Sequence, residues 1–316
     1  MRAAQIAQTA PRGPVYVNLD VTLQEEKIAA LPALPDMARH GAPRAVEPAS
    51  ELVEAAARLL SGAKNPVMLA GRCSRSVESW NARVALAEKL NLRVLTHIKL
   101  AAAFPTDHRL HAAPPANRLP PAAKQLIAGA DVILALDWLD LGGTLKQAYG
   151  AQPVTAKIIQ VSCDAHSHRG WSMDYQILPP VDAYLMCEPD AAVPLLLAAV
   201  TPRAAGVVPA VTLAPRPAAP TDTVTLQGVG EALRAALGNI DFCVTRLPLG
   251  WNGAYLPFRH PLDYVGFDGG GGVGAGPGIT VGAALALKGS GRIPIGLMGD
   301  GDFLMGNTAV WTAVHY

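Results

Sequence analysis

Between residues 50 and 200 short apolar runs alternate with helical patterns, and this alternation restricts the fold more than any other feature of the chain. Residues 67–70, 93–97, 132–136 and 158–161 read as strands. Helical stretches fall at 51–60, 77–90 and 125–128, and 183–187 and 191–200 offer a last strand and a closing helix. Strand runs that are apolar on both sides belong to sheets covered on both faces. The expected class is therefore α/β, with Rossmann-like parallel sheets and helices on both faces.

Two Pro- and Ala-rich stretches without periodicity, 29–49 and 202–222, read as linkers and divide the 316 residues into three pieces. The first, 1–28, offers a short helix, the turn signal Pro11-Arg12-Gly13 and a strand at 14–19, too little to bury a core alone. The second, 50–201, is the alternating unit. The third, 223–316, reads as a helix to Leu237, a strand at 241–245, a loop carrying Gly250-Trp251-Asn252-Gly253 and a short strand at 264–267. A glycine run, a helix at 279–287, a strand at 293–298 and a helix from about Gly306 follow. That last helix reaches Tyr316 with neither a cap nor a polar tail, which predicts a truncated unit.

Charge and hydropathy exclude several classes. Lys and Arg number 26 against 25 Asp and Glu, so there is no basic excess of the kind a phosphate backbone requires, and nucleic acid is not expected as a partner. Half of the residues are apolar, yet Pro, Gly or a charge interrupts every run before the roughly 18 residues that span a bilayer. The N-terminus lacks a secretory pattern, and a cytoplasmic location is expected. Cys73, Cys163, Cys187 and Cys243 show no metal-ligand spacing and are expected as free, buried thiols.

Two motifs in the third piece carry chemistry. Asp268-Gly-Gly-Gly-Gly272-Val273-Gly274-Ala275-Gly276-Pro277-Gly278 lies between a strand and a helix, where glycine admits positive φ and close backbone approach, and a helix N-terminus favours an anion. A flexible surface loop is the bland alternative. The second motif, Gly299-Asp300-Gly301-Asp302-Phe303, follows a strand. Flanking glycines leave the Asp300 carboxylate unobstructed, and a hard divalent cation combines such a ligand with phosphate oxygens and water. The bland alternative is a tight turn in which Asp caps the next helix. His166 and His168 near Asp164, and the lone His260 and His315, show no ligand spacing and read as loop residues.

These residues resemble the thiamine diphosphate-dependent enzymes of the acetolactate synthase and benzoylformate decarboxylase group. Gly13-Pro-Val-Tyr-Val-Asn-Leu-Asp20 looks like the end of that family's pyrimidine-binding domain. Asn65-Pro-Val-Met-Leu-Ala-Gly71 and Gly129-Ala-Asp-Val-Ile-Leu-Ala-Leu136 look like its central domain, and 223–316 like the first part of its diphosphate-binding domain. The resemblance implies thiamine diphosphate and Mg²⁺ as cofactors, with Asp300 as a metal ligand. It also implies that Gly272, Gly274 and Gly299 line the cofactor site, that the backbone at Gly301 and Asp302 cradles the diphosphate, and that Val273 is the aliphatic support holding the cofactor bent. The implied activity is carbon–carbon lyase or carboligase chemistry on a 2-oxo acid, in a homodimer or homotetramer.

The sequence also departs from the family pattern. The Asn supplying a second metal ligand and the glutamate that activates the aminopyrimidine both fall outside it, so no catalytic residue is assigned and the chain alone is expected to be inactive. Ala309-Val310 stands where relatives often carry Glu-Leu. Some relatives hold FAD or ADP in the central sheet. Here Ala70-Gly71-Arg72-Cys73-Ser74 opens a helix without G-x-G-x-x-G, and neither nucleotide is predicted. Two rival readings remain: an NAD(P)-binding oxidoreductase, because Gly269-x-Gly271-x-x-Gly274 satisfies the dinucleotide pattern, and a non-catalytic scaffold subunit or gene fragment.

Overall fold

The computed structural model describes residues 1–164, 177–203, 223–267 and 272–316. Its N-terminal stretch carries two short helices, α1 (Arg2–Gln8) and α2 (Val21–Glu25), and a 3₁₀ turn at Met37–His40. No strand forms at 14–19, contrary to the sequence pattern. A strand needs a ladder partner, and here Tyr16, Val17 and Leu19 are exposed with none.

The central unit runs α3 (Ser50–Gly62), β1 (Pro66–Ala70), α4 (Val77–Leu90), β2 (Arg93–Thr96), α5 (Pro121–Ala128) and β3 (Val132–Leu136). It continues through α6 (Leu141–Tyr149), β4 (Lys157–Val161), β5 (Ala183–Leu185) and α7 (Pro189–Ala199). Its five strands are all parallel, in the order β2-β1-β3-β4-β5. β1 and β3 are buried along their whole length. Their side chains alternate between two cores: Met68, Ala70 and Leu134 meet Leu60, Leu86 and Leu196 on one face, while Val67, Leu69 and Ile133 meet Ile127, Leu141 and Leu145 on the other. This is the doubly wound arrangement that the apolar runs predict.

Helix α6 has no counterpart in the sequence pattern, because Gly142-Gly143 argues against a helix. Both glycines have structural reasons. A Cβ at Gly142 would stand 2.1 Å from the Ile177 carbonyl oxygen, and the Gly143 N–H donates to the capping Asp140 carboxylate at 2.9 Å. Leu141 and Leu145 then anchor the helix in the core.

The second unit holds α8 (Leu226–Leu237), β6 (Phe242–Arg246), α9 (Ala275–Ala286), β7 (Ile293–Gly296), α10 (Asp300–Gly306) and α11 (Ala309–His315). β6 and β7 pair in parallel. Four expectations are corrected here. The strand at 264–267 is only a bridge between Val244 and Tyr264. The strand from 293 stops at Gly296, and a separate short helix, α10 from Asp300, precedes the helix expected near Gly306, which starts at Ala309 as α11. Gly-Asp-Gly is therefore the first turn of a helix, a position that favours acidic side chains. Finally, α9 begins at Ala275, four residues early, because a carboxylate caps it.

A third core joins the units: Trp80, Ile98 and Ala102 pack with Val244, Leu247, Phe258 and Tyr264. Thr106 and Phe258 exchange hydrogen bonds, N–H to carbonyl and N–H to hydroxyl, both at 2.9 Å. Cys187 and Cys243 are buried as expected, whereas Cys73 and Cys163 are partly accessible; all four are free. Among the described residues no helix is long and apolar enough to cross a membrane.

One buried group gives the fold a pH signature. His111 packs against Phe104, shares a 2.8 Å hydrogen bond with the Thr96 hydroxyl, and is pushed down to about 3 by burial. The unfolded chain takes up this proton near 6.5, so stability is complete above that value and declines as pH falls toward 3. Urea unfolding at pH 7 and 5.5 should differ by about 1 kcal/mol on this account. In His111→Gln that share of the slope should vanish.

Candidate cofactor site

The site is organised around two carboxylates, two residues apart, that point in different directions. Asp302, on α10, turns inward: Oδ1 accepts from Gly274 N–H at 2.7 Å and Gly276 N–H at 3.2 Å, and Oδ2 accepts from Arg246 Nε at 3.0 Å. Arg246 closes β6 and also donates through Nη2 to the Gly272 carbonyl at 3.3 Å, with its guanidinium 5.1 Å from the centre of the Phe267 ring. One ion pair thus ties strand, glycine loop, α9 and α10 together. Burial pushes the Asp302 carboxyl up, but the two N–H donors and Arg246 outweigh it and hold the group below the ordinary carboxylate value.

The glycines are set by this contact. A Cβ at Gly276 would stand 2.6 Å from Asp302 Oδ2, and Gly274 has φ +99° with Met305 close beside it. The α9 N-terminus, where the sequence suggests an anion, already holds the Asp302 carboxylate. Its side chain therefore anchors the loop, and only its backbone faces the site expected at Gly301 and Asp302.

Asp300 points outward. It lies in the exposed first turn of α10, and Oδ1 accepts from Gly301 N–H at 2.9 Å. Gly299 and Gly301 are bordered by open space. Among the described residues no group of three or more His, Cys, Asp or Glu could hold a metal ion. The Asp300 carboxylate is a hard oxygen donor of the kind Mg²⁺ takes alongside phosphate oxygens and water. Val273 is 58% exposed, so it is not packed beneath the loop and remains available to a ligand. Gly272 is likewise exposed.

Other candidates resolve differently. Gly269 and Gly271 of the dinucleotide pattern lie outside the described residues, as do His166 and His168. His260 Nδ1 accepts from Leu262 N–H at 3.1 Å within a turn, and His315 stacks on Trp311. At the switch point between β1 and β3, a crevice of about 240 Å³ is spanned by Arg72, which pairs with both Asp137 and Asp164; Ser162 donates to Asp137 at 2.6 Å. Burial raises the Asp137 carboxyl despite Arg72. Gly71 is needed there because a Cβ would stand 2.3 Å from the Asp137 carbonyl.

Two family models match the chain: "Thiamine pyrophosphate enzyme, central domain" over residues 53–186, and "Thiamine pyrophosphate enzyme, C-terminal TPP binding domain" over 248–316. The chain belongs to the thiamine pyrophosphate enzyme family. This membership decides against the dinucleotide reading.

Among curated relatives, the benzoylformate decarboxylase of Pseudomonas aeruginosa is 28% identical over 326 aligned positions, covering 100% of this chain and 58% of that protein. The sulfoacetaldehyde acetyltransferase of Castellaniella defragrans is 38% identical over 119, covering 37% of this chain and 20% of that protein. Two solved structures share the fold. Benzoylformate decarboxylase from Polynucleobacter necessarius has a TM-score of 0.74 at 21% identity, covering 99% of this chain and 57% of that one. A putative thiamin diphosphate-dependent enzyme from Mycobacterium smegmatis has a TM-score of 0.75 at 22% identity, covering 98% and 58%. The chain therefore spans little more than half the length of the relatives it matches throughout.

Sequence reasoning missed Arg246 and the anchoring role of Asp302. A charged residue closing an otherwise apolar strand was the available signal, but nothing in the sequence links it to an acid on a distant helix. Asp302→Ala should cost about 3 kcal/mol in urea unfolding by stranding the buried Arg246 charge. Amide exchange at Gly274 and Gly276 should accelerate. The double variant Arg246→Met/Asp302→Leu should recover much of the loss.

Proposed function

We propose that the chain carries the central and diphosphate-holding parts of a thiamine diphosphate- and Mg²⁺-dependent enzyme that cleaves or joins a carbon–carbon bond beside the carbonyl of a 2-oxo acid. The supporting observation is the outward Asp300 carboxylate between two open glycines, inside the segment matched by the cofactor-binding family model. Asp300 holds the metal, and the backbone at Gly299, Gly301 and Asp302 borders the diphosphate. Gly272, Val273 and Gly274 form the adjoining wall, with Val273 as the exposed aliphatic support.

When bound, thiamine diphosphate supplies a nucleophilic carbon and an electron sink for the reacting carbonyl compound. The chain's own residues bind and orient. Arg246 and Asp302 fix the wall, and Asp300 places charge where the diphosphate needs neutralising. No acid–base residue is assigned to the described part of this chain. The assembly carried over from the family resemblance is a homodimer or homotetramer. We read the crevice at Arg72 as structural, without FAD or ADP, because carboxylates rather than phosphate-binding amides meet across it.

Calorimetric titration with thiamine diphosphate should give Mg²⁺-dependent binding, and at 100 times Kd the cofactor should add about 2.7 kcal/mol of stability. In Asp300→Ala, an exposed change expected to leave the melting curve of the unliganded chain intact, affinity should fall at least tenfold. Unchanged affinity would remove the assigned role.

A further inference from the structure

Two of the four thiols stand just beyond the carboxyl ends of neighbouring strands. β4 and β5 run parallel with Val161 opposite Leu185, and Cys163 and Cys187 each follow that pair by two residues. The Ser162 N–H still donates to the Leu185 carbonyl at 3.2 Å, so the two chains remain together one residue past the pair. Positions two apart on a strand share a face, and Cys187 lies in the same core as Val161 and Leu185. Opposed positions on adjacent strands are about 4.8 Å apart, inside the roughly 4.4–6.8 Å between Cα atoms that a disulfide bridges.

Both thiols are carried on fixed backbone. Next to Cys163, the Ser162 hydroxyl donates to Asp137 at 2.6 Å and accepts from the Asp164 N–H at 3.1 Å, while the Asp164 carboxylate pairs with Arg72. The Cys187 N–H donates to the Leu185 carbonyl at 2.9 Å, and Glu188 directly after it is the first residue of the cap of α7. Little chain freedom remains to be lost when the two sulfurs join. Burial pushes the Cys187 thiol up to about 12, and a thiolate at Cys163 adds to that effect, as expected of neighbouring groups.

Access to the two is unequal. Cys163 is partly exposed and lines the crevice at Arg72, whereas Cys187 is 1% exposed. A small reagent therefore reaches Cys163 first. Cys73 lines the same crevice, but β1, which it follows, lies two strands from β4 and three from β5 in the sheet order. Two steps across a sheet are about 9.6 Å, beyond the reach of a disulfide.

We propose that Cys163 and Cys187 are a reversible dithiol, which a low-molecular-weight disulfide closes into a bond that clamps β5, a three-residue strand at the sheet's edge, onto β4. Cys163 gives up its proton to solvent and attacks one sulfur of the small disulfide, whose S–S bond breaks and releases one thiolate. Cys187 then gives up its proton and attacks the Cys163 sulfur. The Cys163–Cys187 bond forms as the second small thiolate leaves. Two protein thiols are oxidised by two electrons in all, and the small disulfide is reduced to two thiols. Closure removes freedom from the unfolded chain and so stabilises the folded one.

The probe is glutathione disulfide, added to the reduced full chain and followed by alkylation with iodoacetamide, mass spectrometry and urea unfolding. The unaltered chain should lose two hydrogens without keeping glutathione, yield a peptide joining Cys163 to Cys187, and unfold at a higher urea concentration. Dithiothreitol should reverse all three changes. Cys187→Ala should stop with one glutathione on Cys163, Cys163→Ser should react at least tenfold more slowly, and Cys73→Ser should close like the unaltered chain. No loss of hydrogens, a bridge to Cys73, glutathione that stays on Cys163 of the unaltered chain, or closure only in urea that unfolds it would each overturn the proposal. The bridged peptide comes from the unaltered chain and needs no variant to fold.

Discussion

The pair between Arg246 and Asp302 decides where everything else in the cofactor-binding unit can point. Successive residues on an α-helix are turned by about 100°, so positions two apart face nearly opposite ways. With Asp302 drawn inward by Arg246 and two glycine N–H groups, Asp300 has to face outward. The same carboxylate caps α9 and sets the height of the glycine loop against α10. A buried ion pair is a weak source of net stability because both partners lose water. Its value here is geometric, since one contact fixes three elements and the direction of a fourth group that touches none of them.

The central sheet repeats a topology with a built-in crevice at its switch point, yet that crevice is bridged by the chain's own charges. Arg72 between Asp137 and Asp164 satisfies groups that would otherwise require a ligand, and Gly71 lets the backbone of the two strand ends touch. A cleft between the units, bordered by Pro114, Pro115, Trp251, Tyr264 and Phe267, is the reverse case: among the described residues its lining has no charge to neutralise, and it keeps its space because rigid proline and aromatic surfaces on both sides do not collapse onto one another. Two concavities of similar origin therefore differ in what they can accept.

Much of this was legible from residue pattern alone. The runs at 67–70 and 132–136 are apolar at every position, and only a sheet buried on both sides uses such strands, so the central unit followed. Gly299-Asp300-Gly301 stood out as a motif, although its helical conformation did not show, because two glycines conceal a first turn that the Asp302 contact holds in place. Residues 14–19 look like a strand by composition and form none, since composition does not supply a partner. Helix α6 stayed hidden behind Gly142-Gly143, where both glycines answer to contacts made by distant or capping atoms. Arg246 and the interdomain cleft were invisible for the same reason: each exists only when segments far apart in the chain are brought together.

The cofactor-binding unit also depends on the central one for its stability. Among the described residues its sheet has two strands, and a two-stranded sheet is marginal by itself. Its fully buried residues, Val244, Phe258 and Tyr264 among them, are buried largely because Trp80, Ile98 and Ala102 complete their core. The Tyr264 hydroxyl and the reciprocal Thr106–Phe258 bonds satisfy polar groups inside that shared core. The interface is thus part of the folding unit, and the cleft beside it keeps its shape for the same reason that β6 keeps its place. Loosening the contact between the units would disturb Arg246 before it reached Asp300, because the strand that carries Arg246 is the one the central unit supports.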